Sequence, residues 1–319
     1  MVTAIAPGKL FLTGEYAVLR GAPALVAAVN RYARVRFDAG HPSLAIDSRA
    51  EGTSLRGADL EPQPAPGGDV GAVLAVARAL RVQRGRLEVE SGELLAGGQK
   101  LGLGRSAATI VAAAAAILAE RGERARDAIL RLALEANRRF QGGQGSGGDV
   151  AAAVHGGVVQ VRRTAAGLAV EPSRVPRGLE LVVAWSGAGA HTVPLVAKFE
   201  TTANGPVLGE IAAAAEAAAD AAARDDATAF CAAVARSGAL LADLGRELDL
   251  PIVTPALAHL VDVAARLGIA AKPSGAGAGD CAIAFARSPA EAEALRAAWR
   301  DAGFRPLALS VAAWGVHVE

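Results

Sequence analysis

The sequence predicts an α+β protein built from two halves, and three observations lead to that fold class. Its 319 residues suit two packed domains of ordinary size. Hydrophobic residues make up 52% of the chain and charged residues 20%, a balance that allows a substantial buried core. Segments typical of strands and of helices follow one another along the chain, with glycine-rich loops between them and no repeat of fixed period. A stretch rich in proline and arginine at residues 171–178 is expected to connect the halves.

In the first half, strands are expected before helices. Apolar residues on both sides of Pro7-Gly8 and the alternating pattern of residues 32–37 predict two strands. Residues 38–70 are rich in glycine, proline, aspartate and serine, which favours irregular or edge structure. Short strands are expected at residues 87–89 and 158–161. Alanine-rich or apolar composition predicts helices at residues 70–80, 106–120 and 127–140.

The second half combines buried-strand patterns with long helical segments. Strands are expected at residues 181–185, 281–286 and 307–318. Helices are expected within residues 206–248 and at residues 254–267 and 289–302.

Composition also excludes several classes of function. Thirty-three basic and 32 acidic residues give a net charge of +1, so neither a nucleic-acid partner nor a membrane partner is expected. The two cysteines, Cys231 and Cys281, lie too far apart in sequence to suggest a disulfide scaffold or a zinc site. The N-terminal segment lacks the pattern of a signal peptide, and the alanine-rich runs are too short or too charged for a membrane span. We therefore expect a soluble protein of the cytoplasm.

Lysine is scarce in this chain, since only four of the 33 basic residues are lysines. They are Lys9, Lys100, Lys198 and Lys272, and three of them lie in or beside glycine-rich segments. In a background that favours arginine, a retained lysine indicates a position where a compact ammonium group is needed.

Four segments combine glycine with charged or hydroxyl side chains. They are PGK at 7–9 with TGEY at 13–16, KLGLGRSAA at 100–108, QGGQGSGGD at 141–149, and KPSGAGAGD at 272–280. The second runs straight into a predicted helix, whose free N–H groups and dipole suit a phosphate. There Ser106 could cap the helix or reach a metal ion bound to phosphates. In the third segment, Asp149 suits an N-cap at the wall of a cleft.

Taken singly, these segments leave other interpretations open. The second could be an ordinary loop before a helix, or a partial match to the GxGxxA fingerprint of a dinucleotide-binding dehydrogenase. The third and fourth could be flexible or tight glycine-rich connections, although the fourth could also form a backbone nest for phosphate around Ser274. Together, backbone donors, ammonium groups, a hydroxyl and a carboxylate are what phosphoryl transfer requires.

Three of the motifs resemble those of the GHMP kinase superfamily and occur in the same order. They are PGKLFLTGEYAVL, KLGLGRSAA and KPSGAGAGDCAIAF, and the resemblance extends over the whole chain. It implies an N-terminal domain similar to ribosomal protein S5 domain 2 at residues 1–172. It also implies a ferredoxin-like C-terminal domain at residues 173–319, with the active site between the two domains.

Within the superfamily, the residues resemble the phosphomevalonate kinase branch most. The similarity lies in GEYAVL at 14–19, in Lys100 ahead of GLG, in the segment from residue 141, and in AWSGAGAHT at 184–192. The implied activity is the ATP-dependent conversion of 5-phosphomevalonate to 5-diphosphomevalonate, in a monomer or homodimer. Phosphorylation of the mevalonate hydroxyl is one alternative, and an inactive nucleotide-binding regulator is another.

The resemblance implies ATP and Mg²⁺ as cofactors and gives roles to single residues. Lys9 and Asp149 are expected to be catalytic. ATP and its phosphates are expected at Lys100, Gly102, Leu103, Gly104, Arg105, Ser106 and Ala107, with Ser106 also at the metal. The acceptor is expected at Lys9, Tyr16, Ser146, Gly147, Lys272, Ser274, Gly275, Ala276 and Gly277. Arg105 departs from the family pattern, which usually has serine there, and two alternatives stay open for its side chain: it adds a phosphate contact or it points away.

Overall fold

Two large β-sheets, each covered by helices, organise the chain, and the described residues also contain one small two-stranded sheet. The computed structural model describes residues 1–57, 66–189, 195, 198, 199 and 205–319. The strands are β1 (Val2–Thr13), β2 (Pro23–Asp38), β3 (Leu44–Ser48), β4 (Thr53–Arg56), β5 (Gly85–Glu90), β6 (Leu95–Ala96), β7 (Gln99–Lys100), β8 (Val158–Thr164), β9 (Gly167–Ser173), β10 (Glu180–Trp185), β11 (Ala270–Pro273), β12 (Cys281–Ala286), β13 (Arg305–Leu307) and β14 (His317–Val318). The helices are α1 (Gly68–Ala79), α2 (Arg105–Glu120), α3 (Arg126–Phe140), α4 (Gly148–His155), α5 (Pro206–Arg224), α6 (Ala227–Leu248), α7 (Pro255–Arg266) and α8 (Pro289–Asp301).

The first sheet is built around the long antiparallel pair β1 and β2. In the described part of the chain its order is β14-β1-β2-β5-β3-β4, and β8 pairs with β2 and with β9. The register between β1 and β2 shifts at Pro7/Gly8 and again between Phe11 and Thr13. Such irregularities re-aim the side chains that follow them, and the first shift stands directly before Lys9.

Helix α2 lies at the centre of the first half, where it contacts β1, β2, α1, α3 and α4. Its buried residues are mostly alanine, with Ile110, Val111 and Ile117 among them. Alanine has the highest helix propensity and the small side chain that such close packing needs. The sequence prediction of this helix is confirmed.

The second sheet is antiparallel, and among the described residues its order is β11-β12-β10-β13. On one side it packs with α7 and α8 around Trp299 and Leu260. On the other side Phe230 and Phe285 share a core with Leu10 and Leu25 of the first sheet. The two halves therefore meet through a continuous apolar interface.

The chain passes from the first sheet to the second between the end of β9 at Ser173 and the start of β10 at Glu180. It also returns, because β14 pairs with β1 at the edge of the first sheet. The domain boundary between residues 172 and 173 stays a prediction. The last strand, β14, lies after this boundary in sequence but belongs to the first sheet. Helix α6 is long and apolar enough to cross a membrane, but half of its most apolar window is buried inside the protein, as in many core helices.

Several local predictions need correction. Residues 38–70 were expected to form irregular or edge structure. In the described sheet β4 is an edge strand, but β3 lies inside the sheet, where it pairs in parallel with β5. Residues 307–318 were expected to form one strand, but in the structure strand pairing there is limited to Leu307 at the end of β13, a single bridge between Val311 and Val29, and β14. Residues 58–65, within the first of these segments, lie outside the described residues.

Candidate active site

A cavity of about 620 Å³ opens where loops from both halves meet. Segments far apart in sequence form its wall, including β1, the starts of α1 and α2, the end of α3, and Gly275, Ala276 and Asp280. Thirteen of the predicted site residues line it: Lys9, Tyr16, Lys100, Gly102, Leu103, Gly104, Arg105, Ser106, Ala107, Ser146, Asp149, Gly275 and Ala276. Gly147, Lys272, Ser274 and Gly277 are predicted site residues that are not part of this wall.

The loop before α2 has the backbone form of an anion-binding site. Gly102 and Gly104 have φ angles of 75° and 72°, a region that favours glycine. Gly104, rather than Ser106, is the N-cap of α2, and within the described residues no side chain caps this helix. The first N–H groups of a helix lack intrahelical acceptors. At the cavity wall they and the positive end of the helix dipole suit a phosphate group.

Lys9 lies against this loop. Its backbone N–H donates to Leu103 O at 2.8 Å, and its ammonium group donates to Gly102 O at 3.2 Å. A Cβ atom on Gly104 would stand 2.8 Å from the Lys9 side chain, so the glycine leaves room for the lysine. On the other side, a Cβ built on Gly275 would lie 3.9 Å from Lys9 Nζ. The ammonium group therefore stands between the loops of the two halves.

The loop of the second half is held by hydrogen bonds to the first motif. Lys272 Nζ forms an ion pair with Glu15, and Glu15 Oε1 also accepts from the backbone N–H of Gly275 at 3.2 Å. Ser274 Oγ donates to Phe11 O at 2.9 Å, and the Tyr16 hydroxyl donates to the carbonyl of Ala276. Because Gly275 and Ala276 line the cavity, these bonds fix its second wall.

The expectation that Lys272 and Ser274 contact the acceptor is corrected by this arrangement. Lys272 is fully buried, and its remaining described bond goes to Pro273 O at 2.6 Å. Burial lowers the pKa of Lys272, while the Glu15 carboxylate acts in the opposite direction. Gly277 also faces away from the cavity, since a Cβ there would stand 2.1 Å from the carbonyl oxygen of Ile252. These residues support the loop from behind.

Asp149 lies in the first turn of α4, not at its N-cap as expected. The N-cap is Gly147, with a φ of 79°, and the Asp149 carboxylate accepts from Val150 N at 2.9 Å. A Cβ on Gly147 would contact Leu134, so Gly147 packs against α3 instead of lining the cavity. Ser146 and Asp149 remain on the cavity wall, near the end of α3.

Arg105 belongs to the cavity wall, but its guanidinium group forms salt bridges with Glu51 and Asp69. The expected phosphate contact by this side chain is therefore corrected, because both carboxylates hold it on the protein side. Sequence reasoning also missed the α1 wall and the carboxyl groups of Glu15 and Asp280, which line the cavity. Glu15 belongs to the motif TGEY at 13–16 and Asp280 to the motif KPSGAGAGD at 272–280, so their positions in these motifs could have indicated that they lie at the site. Residues 190–192 of the AWSGAGAHT segment lie outside the described residues.

Fold and cavity together define a class: an α+β protein with an interdomain site suited to transferring phosphate groups. The comparisons with known proteins agree. The model of the GHMP kinases N terminal domain matches residues 70–157, and that of the GHMP kinases C terminal matches residues 215–304. The chain belongs to the GHMP kinase family of ATP-dependent phosphotransferases.

Individual relatives cover nearly the whole chain. A phosphomevalonate kinase from Streptomyces sp. (strain CL190) is 32% identical, over 98% of this chain and 97% of the relative. A mevalonate kinase from Aeropyrum pernix is 33% identical, over 88% of this chain and 87% of that relative. The crystal structure of Streptococcus pneumoniae phosphomevalonate kinase with phosphomevalonate and AMPPNP superposes with a TM-score of 0.84 at 23% identity, covering 98% of this chain and 100% of that one. The fold is thus the two-domain GHMP kinase fold.

Proposed function

We propose that this protein transfers the γ-phosphoryl group of ATP to 5-phosphomevalonate, giving 5-diphosphomevalonate and ADP in the mevalonate pathway of isoprenoid biosynthesis. The observation that carries the proposal is the position of the Lys9 ammonium group between the loop before α2 and Gly275. Lys100 adds a second lysine to the same cavity. The 32% identity to a phosphomevalonate kinase over nearly the full length supports this acceptor.

In this proposal the triphosphate of ATP lies over the start of α2, where backbone N–H groups and the helix dipole stabilise negative charge. Among the described residues, no group of three or more acidic, histidine or cysteine side chains could hold a metal ion. This fits Mg²⁺ that arrives with the nucleotide, because such Mg²⁺ is held mainly by phosphate oxygens and water. We assign the Ser106 hydroxyl as its protein ligand. When bound, Mg²⁺ neutralises charge on the phosphates.

The acceptor determines what Lys9 and Asp149 must do. A phosphate monoester has a second pKa of about 6, so at neutral pH it is mostly a dianion and needs no base. Two polyanions must nevertheless approach each other, and the ammonium groups of Lys9 and Lys100 reduce their repulsion. Asp149 then orients the acceptor. If mevalonate were the acceptor, a carboxylate base would help to deprotonate its hydroxyl group. Asp149 lines the cavity, and this observation favours mevalonate kinase as the second candidate function.

A substrate panel tests the choice of acceptor. The protein is supplied with ATP, Mg²⁺ and either 5-phosphomevalonate or mevalonate, and ADP release is measured by a coupled assay. We expect turnover with 5-phosphomevalonate and little with mevalonate. Turnover with mevalonate alone would contradict the proposed acceptor, and ATP binding without turnover on either substrate would favour the nucleotide-binding regulator.

Two variants test the division of roles. Lys9→Ala is expected to reduce turnover more than Asp149→Asn, because charge neutralisation matters more than proton abstraction for a phosphate acceptor. Lys198→Ala and Asp127→Asn are the matched controls: Lys198 is exposed, and Asp127 occupies the first turn of α3. A much deeper loss in Asp149→Asn than in Lys9→Ala would indicate base catalysis on a hydroxyl.

A further inference from the structure

Behind the start of α2, three charged side chains from different parts of the first half form one cluster. Arg105 Nη2 bonds Glu51 Oε1 at 2.5 Å, and Arg105 Nη1 bonds Asp69 Oδ2 at 3.4 Å. The side chains of Arg105, Glu51 and Asp69 are 9%, 21% and 1% exposed. Charges this deeply placed are stable only when they are paired and hydrogen-bonded, so the three groups depend on one another.

Asp69 is tied to the sheet and to α2 by further bonds. Its Oδ2 accepts from the hydroxyl groups of Ser48 and Ser91 at 2.8 and 2.7 Å, and its Oδ1 accepts from Thr109 at 3.2 Å. Ser48 ends β3, Ser91 follows β5, and Thr109 lies one turn into α2. The Asp69 carboxylate is thus fixed in place, and it fixes Arg105 in turn.

The side-chain carboxylate of Glu51 lies at the start of α1. Its Oε2 accepts from the backbone N–H of Asp69 at 2.9 Å, which satisfies one of the free donors of that helix. Gly68 has a φ of 65°, and a Cβ there would stand 2.3 Å from Glu51 Oε1. The glycine therefore allows the carboxylate to approach the helix terminus, where a negative charge is favourable.

The cluster consequently joins the N-termini of two helices that both line the cavity. Gly68 and Gly71 of α1 line this cavity, as do Arg105 and Ser106 of α2. A cation at the first position of a helix opposes the helix dipole. Arg105 is stable there because the carboxylates of Glu51 and Asp69 compensate its charge.

We propose that Arg105 is a positioning residue for the nucleotide: with Glu51 and Asp69 it sets the spacing of the α1 and α2 termini between which the nucleotide binds. The inference rests on the proposed function, because it places ATP at the start of α2. Loss of the guanidinium group removes the bonds from α2 to Glu51 and to Asp69 Oδ2, so that Thr109 alone among these residues still joins α2 to Asp69. It also leaves two carboxylates without their counter-charge beside the phosphate site. Both effects weaken nucleotide binding and leave the acceptor side, formed by the loops at Ser146 and Gly275, in place.

The test compares Arg105→Met and Arg105→Lys with the wild-type protein. Affinity for AMPPNP with Mg²⁺ is measured by calorimetry, and KM for ATP and for 5-phosphomevalonate by the coupled assay. Loss of hydrogen bonds between charged groups predicts roughly tenfold or more weaker AMPPNP binding by Arg105→Met. The KM for the acceptor should stay within about threefold of the wild-type value, a change of under 1 kcal/mol. Arg105→Lys should be intermediate, because one ammonium group cannot donate to both carboxylates in the geometry of the guanidinium fork.

Arg121→Met is the matched control, since Arg121 follows the other end of α2, where it is exposed and donates to Leu80 O. If Arg105→Met does not fold, Glu51→Gln replaces it. Its amide can still accept from Asp69 N, and the lost charge should weaken AMPPNP binding about threefold, less than 1 kcal/mol.

Unchanged AMPPNP affinity in the foldable variants, or equal losses for nucleotide and acceptor, would overturn the positioning role. A wild-type protein that does not bind AMPPNP would instead refute the proposed function, and the positioning role with it.

Discussion

Replacing Lys272 by methionine tests how the loop at Gly275 is held in place. Lys272 is fully buried and Glu15 is 3% exposed, so Lys272→Met leaves a buried carboxylate without the cation that pairs with it. Glu15 Oε1 keeps its bond from Gly275 N, but within the described residues Glu15 Oε2 has no partner. Breaking a buried ion pair by removing one partner destabilises a protein by about 3–5 kcal/mol.

The electrostatic part of this loss has an upper limit. A glutamic acid in water has a pKa of about 4.3. Keeping the unpaired carboxyl group of the variant protonated at pH 7 therefore costs about 3.7 kcal/mol. The folded variant then binds a proton that the unfolded chain releases, so its stability falls as the pH rises. The deficit relative to the wild-type protein should shrink by about 1.4 kcal/mol per pH unit below pH 7, leaving roughly 1 kcal/mol at pH 5.

Urea unfolding followed by tryptophan fluorescence at pH 7 and pH 5 measures both quantities. The double variant Lys272→Met with Glu15→Gln removes both charges, and the glutamine can still accept from Gly275 N. It should recover most of the loss, because neutral replacements of a buried pair are often tolerated. Lys198→Met, at an exposed lysine that donates to Asp249 O, is the control and should cost under about 0.5 kcal/mol. A Lys272→Met deficit no larger than that control, or one independent of pH, would refute the reasoning.

Two further predictions concern the same cavity. Gly104→Ala should lower turnover at least about tenfold, because its Cβ would displace the Lys9 side chain. Gly122→Ala is the control, because Gly122 has a similar positive φ but open space where the Cβ would lie. This variant should lose about 1–2 kcal/mol of stability and keep its turnover. Equal turnover in the two variants would contradict the role of Gly104. Tyr16 is buried beside Glu15, and both effects raise the pKa of Tyr16. In a Tyr32→Phe background, tyrosinate absorbance should therefore appear only well above pH 10, the usual pKa. The stability contribution of the buried phenol is complete below that pH and is lost at higher pH. Tyr16→Phe should abolish this alkaline decline, and an absorbance change near pH 10 in the folded protein would contradict the burial effect.

Local sequence patterns were sufficient where local forces dominate. The alanine-rich segment of α2 forms a helix because helix propensity and burial agree there. Strand β3, which lies inside the sheet, and the short helix α4 were not predicted, and for the edge strand β4 the expectation was only irregular or edge structure. Segment 44–48 is a strand because of its parallel pairing with β5. Helix α4 begins at Gly148 after a glycine with positive φ and packs on β1. Such non-local contacts are not visible in a short window of sequence.

The roles of individual basic residues were harder to predict than the location of the site. The motifs correctly indicated which segments meet, but a lysine in a glycine-rich segment gives no sign of the residue it pairs with. Lys272 meets Glu15, which lies 257 positions earlier in the chain. Arg105 meets Glu51, 54 positions earlier. Sequence reasoning therefore placed Lys272 at the ligand and left two alternatives for Arg105, a phosphate contact or a side chain that points away. In the structure both residues pair with carboxylates of the protein.

The structure offers a physical criterion that separates these two residues from Lys9 and Lys100. A cation buried in the protein needs a permanent counter-charge, whereas a cation whose counter-charge is the substrate must face the cavity and have no carboxylate bound. Lys272 and Arg105 meet the first condition, through Glu15 and through Glu51 with Asp69. Lys9 and Lys100 line the cavity and form no salt bridge within the described residues, so they meet the second. We therefore expect an anionic ligand between the two halves to supply the counter-charge of these two lysines, and the proposed reaction brings two polyanions together there.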